Sequence, residues 1–218
     1  MISIPKTSMK QTLNQYLNNY RFIFKKHSFD IFYWLIMAIL SLEELRSVKF
    51  LYDNFIKKYT GKALNSIYYF LSYSNFSIDE LMQATVKIIL SLIPENLINA
   101  EIFLTIDDTL QAKFGKKFDC YNKLFDHTKK IGSSYLNGHC FISLVINVPL
   151  WHNENIKYLS LPIGYKIYDK ETSKLEIASN MIDIIMPFLE KYNVILLCDN
   201  WYSKGKVLNT VKKFNNLD

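Results

Sequence analysis

Residues Ile102–Leu110 read IFLTIDDTL, an apolar run that stops at two aspartates and a threonine. A later segment, Val194–Cys198, has the same form, because VILLC is followed at once by Asp199. Short apolar runs bounded by polar residues are typical of buried strands. The sequence therefore predicts two buried β-strands that each end in acidic side chains, about ninety residues apart in the chain.

Two further strands are predicted between these acidic ends. His139–Val148 is a long, nearly unbroken apolar run, as expected for a strand that is buried on both faces. Tyr158–Tyr168 alternates more and contains Pro162 and Gly164. Proline has no N–H to donate to a sheet, so this third predicted strand belongs at an edge.

Helices complete the C-terminal half. Ser173 and Glu176 have capping-box spacing and predict a helix that runs to about Tyr192, and Ser203–Phe214 has the pattern of a last amphipathic helix. The predicted order is β-β-β-α-β-α. A helix between the third and fourth strands favours a crossover that returns the chain parallel to, and beside, the first strand.

The N-terminal half has helical periodicity from Gln11 to about Leu97, with apolar residues three and four positions apart. Thr60-Gly61 interrupts the pattern, and a second helical stretch follows. Ser77 and Glu80 then form a capping box for a helix that stops before Pro94. The sequence thus predicts a mixed α/β protein, with a helical domain over residues 1–97 and a sheet domain over residues 98–218.

Composition excludes several classes of protein. Half of the 218 residues are hydrophobic and 15% are aromatic, which is unlike a disordered chain. The three cysteines, in no metal-binding spacing, predict neither disulfides nor zinc and favour a reducing cytoplasm. The longest apolar run, Ile31–Leu42, is well short of the roughly 20 residues that span a membrane, so we expect a soluble protein without membrane partners. P-loop, GxSxG, HExxH and EF-hand motifs are absent from the sequence.

The aspartates that follow the first and fourth predicted strands are candidates for one site. If those strands are parallel neighbours, Asp107 or Asp108 meets Asp199 at a single edge of the sheet, where open sheets bind ligands. Two adjacent carboxylates either share a proton or are neutralised by a cation. Oxygen ligands favour Mg²⁺ or Mn²⁺, and such a site suits phosphodiester chemistry. The alternative is that each aspartate only caps a turn after its strand.

The stretch Ile102–Asp218 resembles the catalytic domain of bacterial insertion-sequence DDE transposases, which have an RNase H-like fold. The resemblance rests on the motifs IDDTL, FGKKFDCY, LFDH, LNGHCFISLV, SKLE and LLCDNWYSKG. It implies that Asp108 and Asp199 are the first and second catalytic, metal-binding carboxylates, with Asp107 as the alternative for the first. The implied cofactor is Mg²⁺ or Mn²⁺.

The resemblance also implies an activity and partners. Members of the family cleave a phosphodiester at an element's end, and the freed 3′-hydroxyl then attacks target DNA. The implied partners are double-stranded DNA with terminal inverted repeats and a second copy of the protein. The helical half is similar to the DNA-binding region found upstream of such domains, and it carries 11 Lys and Arg against 7 Asp and Glu.

One feature of the family is missing from the sequence. A DDE site has a third carboxylate, normally a Glu after a fifth strand, yet no Glu follows Asp199. The expectation is therefore an incomplete RNase H-like domain, truncated at its C-terminus, with an unpaired edge beside the fourth strand and little strand cleavage of its own. The alternative function is a non-catalytic DNA-binding remnant that occupies element ends or inhibits full-length transposase. A third, less favoured candidate is another RNase H-like nuclease.

Basic and aromatic residues next to the predicted strands are candidates for DNA contact. The segment Lys113–Lys130 interleaves lysines with phenylalanines and a tyrosine, which suits phosphate contacts and base stacking, or equally a solvated loop. Trp201 could line a DNA groove or pack under the last helix. For the two histidines His127 and His139, a structural role is favoured over a role as ligands. The DNA-binding candidates are Lys113, Lys116, Lys117, Lys129, Lys130 and Trp201.

Overall fold

The computed structural model describes residues 6–115, 118–126 and 135–218. The chain divides between Ala84 and Thr85 into two compact units, the first helical and the second built on a mixed five-stranded sheet with helices. In these ranges no helix has both the length and the apolar character needed to cross a membrane. A mixed helix-and-sheet architecture was predicted and is confirmed; the functional boundary at residue 97 stays a prediction.

The helical unit has its apolar residues at the predicted spacing. Ile31, Leu35 and Ala38 lie on one face of the second helix and are buried. Stacked aromatic rings complete this core, with the Phe70 and Phe76 centroids 5.6 Å apart. The break at Thr60-Gly61 separates two helices as predicted. The helices are α1 (Lys6–Asn18), α2 (Lys26–Ser41), α3 (Val48–Leu51), α4 (Lys57–Tyr59), α5 (Leu64–Tyr73) and α6 (Ile78–Leu90), with a π-helical turn at Tyr52–Ile56 between α3 and α4.

Both predicted helix starts are confirmed. The Ser77 hydroxyl accepts a hydrogen bond from the Glu80 N–H at 3.2 Å, just before α6. The Ser173 hydroxyl does the same for the Glu176 N–H, also at 3.2 Å, at the start of α7 (Lys174–Ile185). Each serine thus satisfies one of the N–H groups that a helix leaves unpaired at its N-terminus.

The two C-terminal helices are shorter than predicted. α7 was expected to reach Tyr192, but it ends at Ile185 and gives way to a short 3₁₀ helix at Met186–Phe188. Pro187 explains the difference, because proline has no N–H and its ring clashes with the preceding turn of an α-helix. α8 covers only Gly205–Val211, inside the predicted Ser203–Phe214.

The cap at Ser173 supports a first prediction. Replacing Ser173 by Ala removes the acceptor of the Glu176 N–H, and we expect the free energy of unfolding to fall by about 1 kcal/mol. Ser173→Asp keeps a capping oxygen and should retain the wild-type stability. Urea denaturation followed by circular dichroism measures both variants, and an alanine variant as stable as the aspartate variant would contradict the assigned role of the cap.

The sheet of the second unit contains five strands. These are β1 (Ile102–Ala112), β2 (Asn122–Phe125), β3 (Tyr135–His152), β4 (Asn155–Ile167) and β5 (Val194–Cys198). β1, β2 and β4 all run antiparallel to β3, and β5 runs parallel to β1. Gly138 pairs with both β1 and β2, and Phe141 pairs with both β1 and β4. β2 and β4 therefore share one side of β3, while β1 and then β5 lie on its other side.

The predicted parallel pairing of the first and fourth strands is confirmed. β1 and β5 are adjacent and parallel, in a register that runs from Ile102 opposite Val194 to Ile106 opposite Cys198. The chain connects β4 to β5 through α7, which contacts β3, so the crossover helix covers one face of the sheet. Buried side chains from β1, β3 and α7, including Leu104, Leu144 and Ile182, form the core beneath it.

β1 continues beyond the acidic residues that were expected to end it. Its pairing with β3 runs past Asp107 and Asp108 to Ala112, which lies opposite Gly138. The longer strand has a nonlocal cause, because β3 extends far enough to give the polar residues of β1 hydrogen-bond partners. β2 was not predicted at all, and it lies within the segment interpreted as a loop or a DNA contact.

β3 and β4 form a long hairpin that extends past the predicted strand ends. Asn153 and Glu154 connect the strands, and both have positive φ, 49° and 63°, as a two-residue type I′ turn requires. The register shifts at the proline, since Val145 pairs with Pro162 and Leu144 with Gly164. The extra residue forms a bulge, which accommodates a residue without an N–H. Among the described strands β4 pairs with β3 alone, in agreement with the predicted edge position.

The outer edge of β5 is partly paired, which corrects the expectation of an open edge. The Val194 N–H donates to the Asn216 carbonyl at 2.9 Å, and the Asp218 N–H donates back to the Val194 carbonyl at 3.0 Å. Leu196 makes a third bond, from its N–H to Asp218. β5 is also less buried than predicted, because Leu197 is 44% exposed and only Val194 is fully inside.

Candidate metal and nucleic-acid site

Three aspartates lie just beyond the last paired residues of the parallel strands β1 and β5. The last paired residues of the two strands are Ile106 and Cys198, so Asp107 and Asp199 come next on parallel neighbours. Asp108 follows one position further along β1. The strand register therefore places the backbones of these aspartates near one another, although Asp108 and Asp199 are about ninety residues apart in the chain.

Alternation along β1 separates the two neighbouring aspartates. Asp108 lies on the same face as the buried side chains of Leu104 and Ile106 and is itself partly buried. Asp107 points to the opposite face and is exposed, and its Oδ1 accepts a hydrogen bond from the Asp108 N–H at 2.8 Å. Asp108 is thus the residue that faces the interior side of the sheet.

Asp108 has two side-chain partners that sequence reasoning did not identify. Lys174, the first residue of α7, forms an ion pair with Oδ2 of Asp108. The Cys140 thiol of β3 donates to the same oxygen at 3.1 Å. Burial raises the pKa of Cys140 to about 11, and the hydrogen bond to Asp108 acts in the same direction, so this thiol stays protonated at neutral pH. Burial lowers the pKa of Lys174, but Asp108 outweighs it and raises the pKa above its usual value.

Asp199 organises the turn that follows β5. Its Oδ1 accepts hydrogen bonds from the N–H groups of Trp201, at 2.9 Å, and Tyr202, at 3.1 Å. The interpretation of this aspartate as a turn-capping residue is therefore correct for one of its oxygens. The same bonds fix the direction of the carboxylate, which is exposed at the end of the strand.

Tyr202 places an unsatisfied hydroxyl beside these carboxylates. Its side chain is completely buried, and its hydroxyl has no hydrogen-bond partner within the described residues. Burial raises the pKa of Tyr202 strongly, and the negative charges of Asp108, Cys140 when ionised, Asp107 and Asp199 act the same way. Buried hydroxyl groups are normally hydrogen-bonded, so this unpaired one is a candidate partner for a polar ligand.

The donor set fits a hydrated Mg²⁺ or Mn²⁺ ion better than a protein-enclosed metal. In the described parts of the chain, no group of three or more His, Cys, Asp or Glu side chains is arranged to hold a metal ion. Mg²⁺ keeps several waters and often binds through one or two carboxylates together with substrate phosphates. Asp108 and Asp199 are the two carboxylates that would hold such an ion.

An exposed aromatic side chain borders the carboxylates. Trp201 is 41% exposed, and the ammonium groups of Lys174 and Lys204 lie 5.7 and 5.9 Å from its ring centroid. Its ring also packs edge-on against Tyr202 at 5.0 Å. These contacts show that the tryptophan packs against neighbouring side chains, and its contact with DNA stays a prediction.

Of the predicted DNA-binding lysines, Lys113 is the one that lies within the described residues. Lys113 follows the end of β1, where its N–H donates to the Asn137 carbonyl at 3.0 Å. Lys116, Lys117, Lys129 and Lys130 lie outside the described residues, as does His127, so their roles stay predictions. The described part of the segment exposes Phe114 and Phe125 to solvent.

His139 is structural, as the sequence analysis favoured. Its Nε2 lies 2.9 Å from the Asp119 carbonyl oxygen, and its ring stacks edge-on with Phe118 and Phe141. It is 9% exposed. These contacts account for the imidazole without any ligand.

A local signal for Lys174 is present in the sequence. Lysine in the first turn of a helix is unfavourable, because the N-terminal end of the helix dipole is positive. A lysine directly after the cap Ser173 is therefore an unfavourable choice for the helix alone, and it agrees with a carboxylate partner elsewhere. The sequence does not reveal which carboxylate, since Asp108 lies 66 residues away.

Comparisons with known proteins give no family for this chain. No protein-family model matches it, and neither does any curated protein. Among solved structures it is similar to a Mos1 strand transfer complex and to a Mos1 transposase paired-end complex with the left transposon end. Each match has a TM-score of 0.26 and 15% identity, and covers 84% of this chain and 56% of the other. The chain thus spans about half the length of those chains, and so low a score identifies neither fold nor function.

Proposed function

We propose that this chain is a DNA-processing protein of the DDE transposase type, in which Asp108 and Asp199 hold Mg²⁺ or Mn²⁺ for phosphodiester chemistry. The observation that supports the proposal is the parallel pairing of β1 with β5, since Asp199 directly follows β5 and Asp108 lies two residues beyond the last paired residue of β1. The strand order β4-β3-β1-β5, with only the last pair parallel, supports the RNase H-like arrangement that the sequence resemblance implies.

Asp108 is the stronger candidate for the first ligand. It faces the covered side of the sheet, near the orphaned hydroxyl of Tyr202, whereas Asp107 faces the other side and bonds to the adjacent backbone. A divalent ion at this position would neutralise the charge that develops on a phosphodiester during cleavage. The chain's own residues position that ion, with Asp199 oriented by its two backbone bonds.

Double-stranded DNA is the proposed partner, with element ends as the specific target and self-association on DNA. Trp201 offers an aromatic face beside the carboxylates, and Lys204 offers a charge for backbone phosphates. In the helical unit, Arg21, Lys26 and His27 line a pocket together with Phe29 and Asp30. Positive charge in both units supports contact with a polyanion.

Cleavage of the polypeptide by bound iron tests the ligand assignment without requiring DNA cleavage. Fe²⁺ that replaces Mg²⁺ reduces added hydrogen peroxide to hydroxyl radicals, which cut the backbone near the ligands, and ascorbate returns the iron to Fe²⁺. We expect two sets of fragments, from cuts near Asp108 and near Asp199, and excess Mg²⁺ should suppress both. Asp108→Asn and Asp199→Asn should each reduce both cuts at least about tenfold, since loss of a ligand weakens metal affinity strongly.

Asp183→Asn is the matched control for these variants. Asp183 is a surface carboxylate of α7 that pairs with Lys213, so its substitution should leave the fragment pattern unchanged. Cuts that persist in both site variants, or that map to other parts of the chain, would overturn the proposed metal site.

A DNA-binding module without catalysis is the second candidate, and the ion pair between Lys174 and Asp108 favours it. In this pair the first carboxylate is already neutralised by a cation of the chain itself. The two candidates differ in duplex binding, measured by fluorescence anisotropy over a range of salt concentrations. Salt-sensitive binding that needs no Mg²⁺ and survives Asp108→Ala, together with an absence of iron-induced cuts, supports the binding module.

A further inference from the structure

Lys174 occupies a position that is unfavourable for a lysine on its own helix. It is the first residue of α7, next to the cap Ser173, where the helix dipole repels positive charge. An ion pair with Asp108 compensates for this position. The side chains of the two residues are only 20% and 23% exposed, so the pair is largely shielded from water.

The same ammonium contacts the carboxylate that is proposed to bind the divalent ion. It contacts Oδ2 of Asp108, the oxygen that also accepts the Cys140 thiol hydrogen at 3.1 Å. A divalent cation on that carboxylate and an ammonium in contact with it would repel each other at short range. The ion and Lys174 therefore compete for the charge of Asp108, and each weakens the hold of the other.

Two aromatic rings offer the ammonium an alternative position close by. The Lys174 Nζ lies 5.6 Å from the ring centroid of Tyr168 and 5.7 Å from that of Trp201. Both distances are within the range of a cation–π interaction. The side chain can thus leave the carboxylate without losing every favourable contact.

We infer that Lys174 is an internal counter-cation of the carboxylate site, which neutralises Asp108 in the metal-free protein and is displaced from it when a divalent ion binds. This inference rests on the proposed function, because it takes Asp108 to be a metal ligand. Its consequence is that the free protein binds divalent ions more weakly than its carboxylates alone would allow. Lys174 is a residue that regulates access to the site, and it makes no contact with a reacting atom in this arrangement.

Titration of the full-length chain with Mn²⁺ tests the inference, with free Mn²⁺ measured by electron paramagnetic resonance. Lys174→Met removes the competing charge but keeps an unbranched apolar stem, and we expect it to bind Mn²⁺ about tenfold more tightly, the equivalent of ~1.4 kcal/mol. Lys174→Arg retains the charge and should bind like the wild type. Lys213→Met, which removes an equal charge from the exposed pair with Asp183, should also leave the affinity unchanged.

A second measurement uses the wild-type chain and so does not depend on the folding of a variant. Acetylation of lysines by a limiting amine-reactive reagent, read by mass spectrometry, reports how free each ammonium is. We expect Mg²⁺ to increase the labelling of Lys174 several-fold while that of Lys213 stays constant. Unchanged labelling of Lys174 at Mg²⁺ concentrations that saturate the site would overturn the inference.

The outcomes separate this inference from the proposed function. Equal or weaker Mn²⁺ affinity in Lys174→Met, with binding that is still lost in Asp108→Asn, would overturn the counter-cation role and leave the metal site standing. Mn²⁺ binding that is insensitive to Asp108→Asn would overturn both. Tighter binding in Lys174→Met alone, lost again when Asp108→Asn is added, supports both.

Discussion

Gly138→Ala is expected to destabilise the sheet unit by about 3 kcal/mol, a large effect for the addition of one methyl group. Gly138 lies in β3 between Ala112 of β1 and Asn122 of β2. A Cβ atom at this position would lie 2.0 Å from the Gln111 carbonyl oxygen and 3.0 Å from the Ala112 Cα. Both are backbone atoms of β1, so relief requires the strands to separate rather than a side chain to rotate.

Urea denaturation and hydrogen exchange measure this effect in complementary ways. The urea midpoint reports the loss of stability, and faster exchange of β1 and β3 amides locates it in the sheet. Gly61→Ala is the control, because a Cβ added there has nothing within 4 Å. A Gly138→Ala protein with wild-type exchange in β1 would show that the two strands are not as closely apposed as described.

The close approach at Gly138 also shows where sequence reasoning reaches its limit. The apolar runs of β1, β3 and β5 were visible locally, and a helix between the third and fourth predicted strands favoured the parallel pairing that the structure has. The continuation of β1 to Ala112 was not visible, because polar residues such as Thr109 and Gln111 form strand only through their partners in β3. Strand propensity depends on that tertiary context.

β2 was missed for a similar reason. Asn122–Phe125 has one buried apolar side chain, Leu124, which is too weak a pattern to distinguish from a loop. Its pairing with β3 supplies what the local sequence lacks. The end of α7 was predicted wrongly for a different reason. Pro187 is a local signal for the end of a helix, but the prediction followed the apolar periodicity past it.

The candidate site, too, could be predicted from the sequence only in part. The acidic ends of the two strands could be read from the sequence, and so could their convergence once the parallel pairing was assumed. The partners of Asp108 could not, because Cys140 and Lys174 reach it through tertiary contacts 32 and 66 residues away in the chain. Such contacts decide whether a carboxylate pairs with a lysine, accepts a hydrogen bond from a thiol or binds an ion.

Two substitutions of Tyr202 are expected to act in opposite directions. Tyr202→Ala removes a large side chain that is completely buried, and we expect it to lower the free energy of unfolding by about 3–5 kcal/mol. Tyr202→Phe keeps the ring and removes only a hydroxyl that lacks a partner within the described residues. Because an unsatisfied buried hydroxyl is destabilising, the phenylalanine variant should be about 1 kcal/mol more stable than the wild type without metal.

Chemical denaturation of both variants in the presence of a chelator measures this contrast, since the chelator removes any ion that could hold a water against the hydroxyl. The ring packs edge-on against Trp201 in either case, so Tyr202→Phe isolates the contribution of the oxygen. A phenylalanine variant that is less stable than the wild type would mean that the hydroxyl is hydrogen-bonded in the metal-free protein. That result would remove the main structural reason, apart from the carboxylates themselves, for placing a polar ligand beside Asp108 and Asp199.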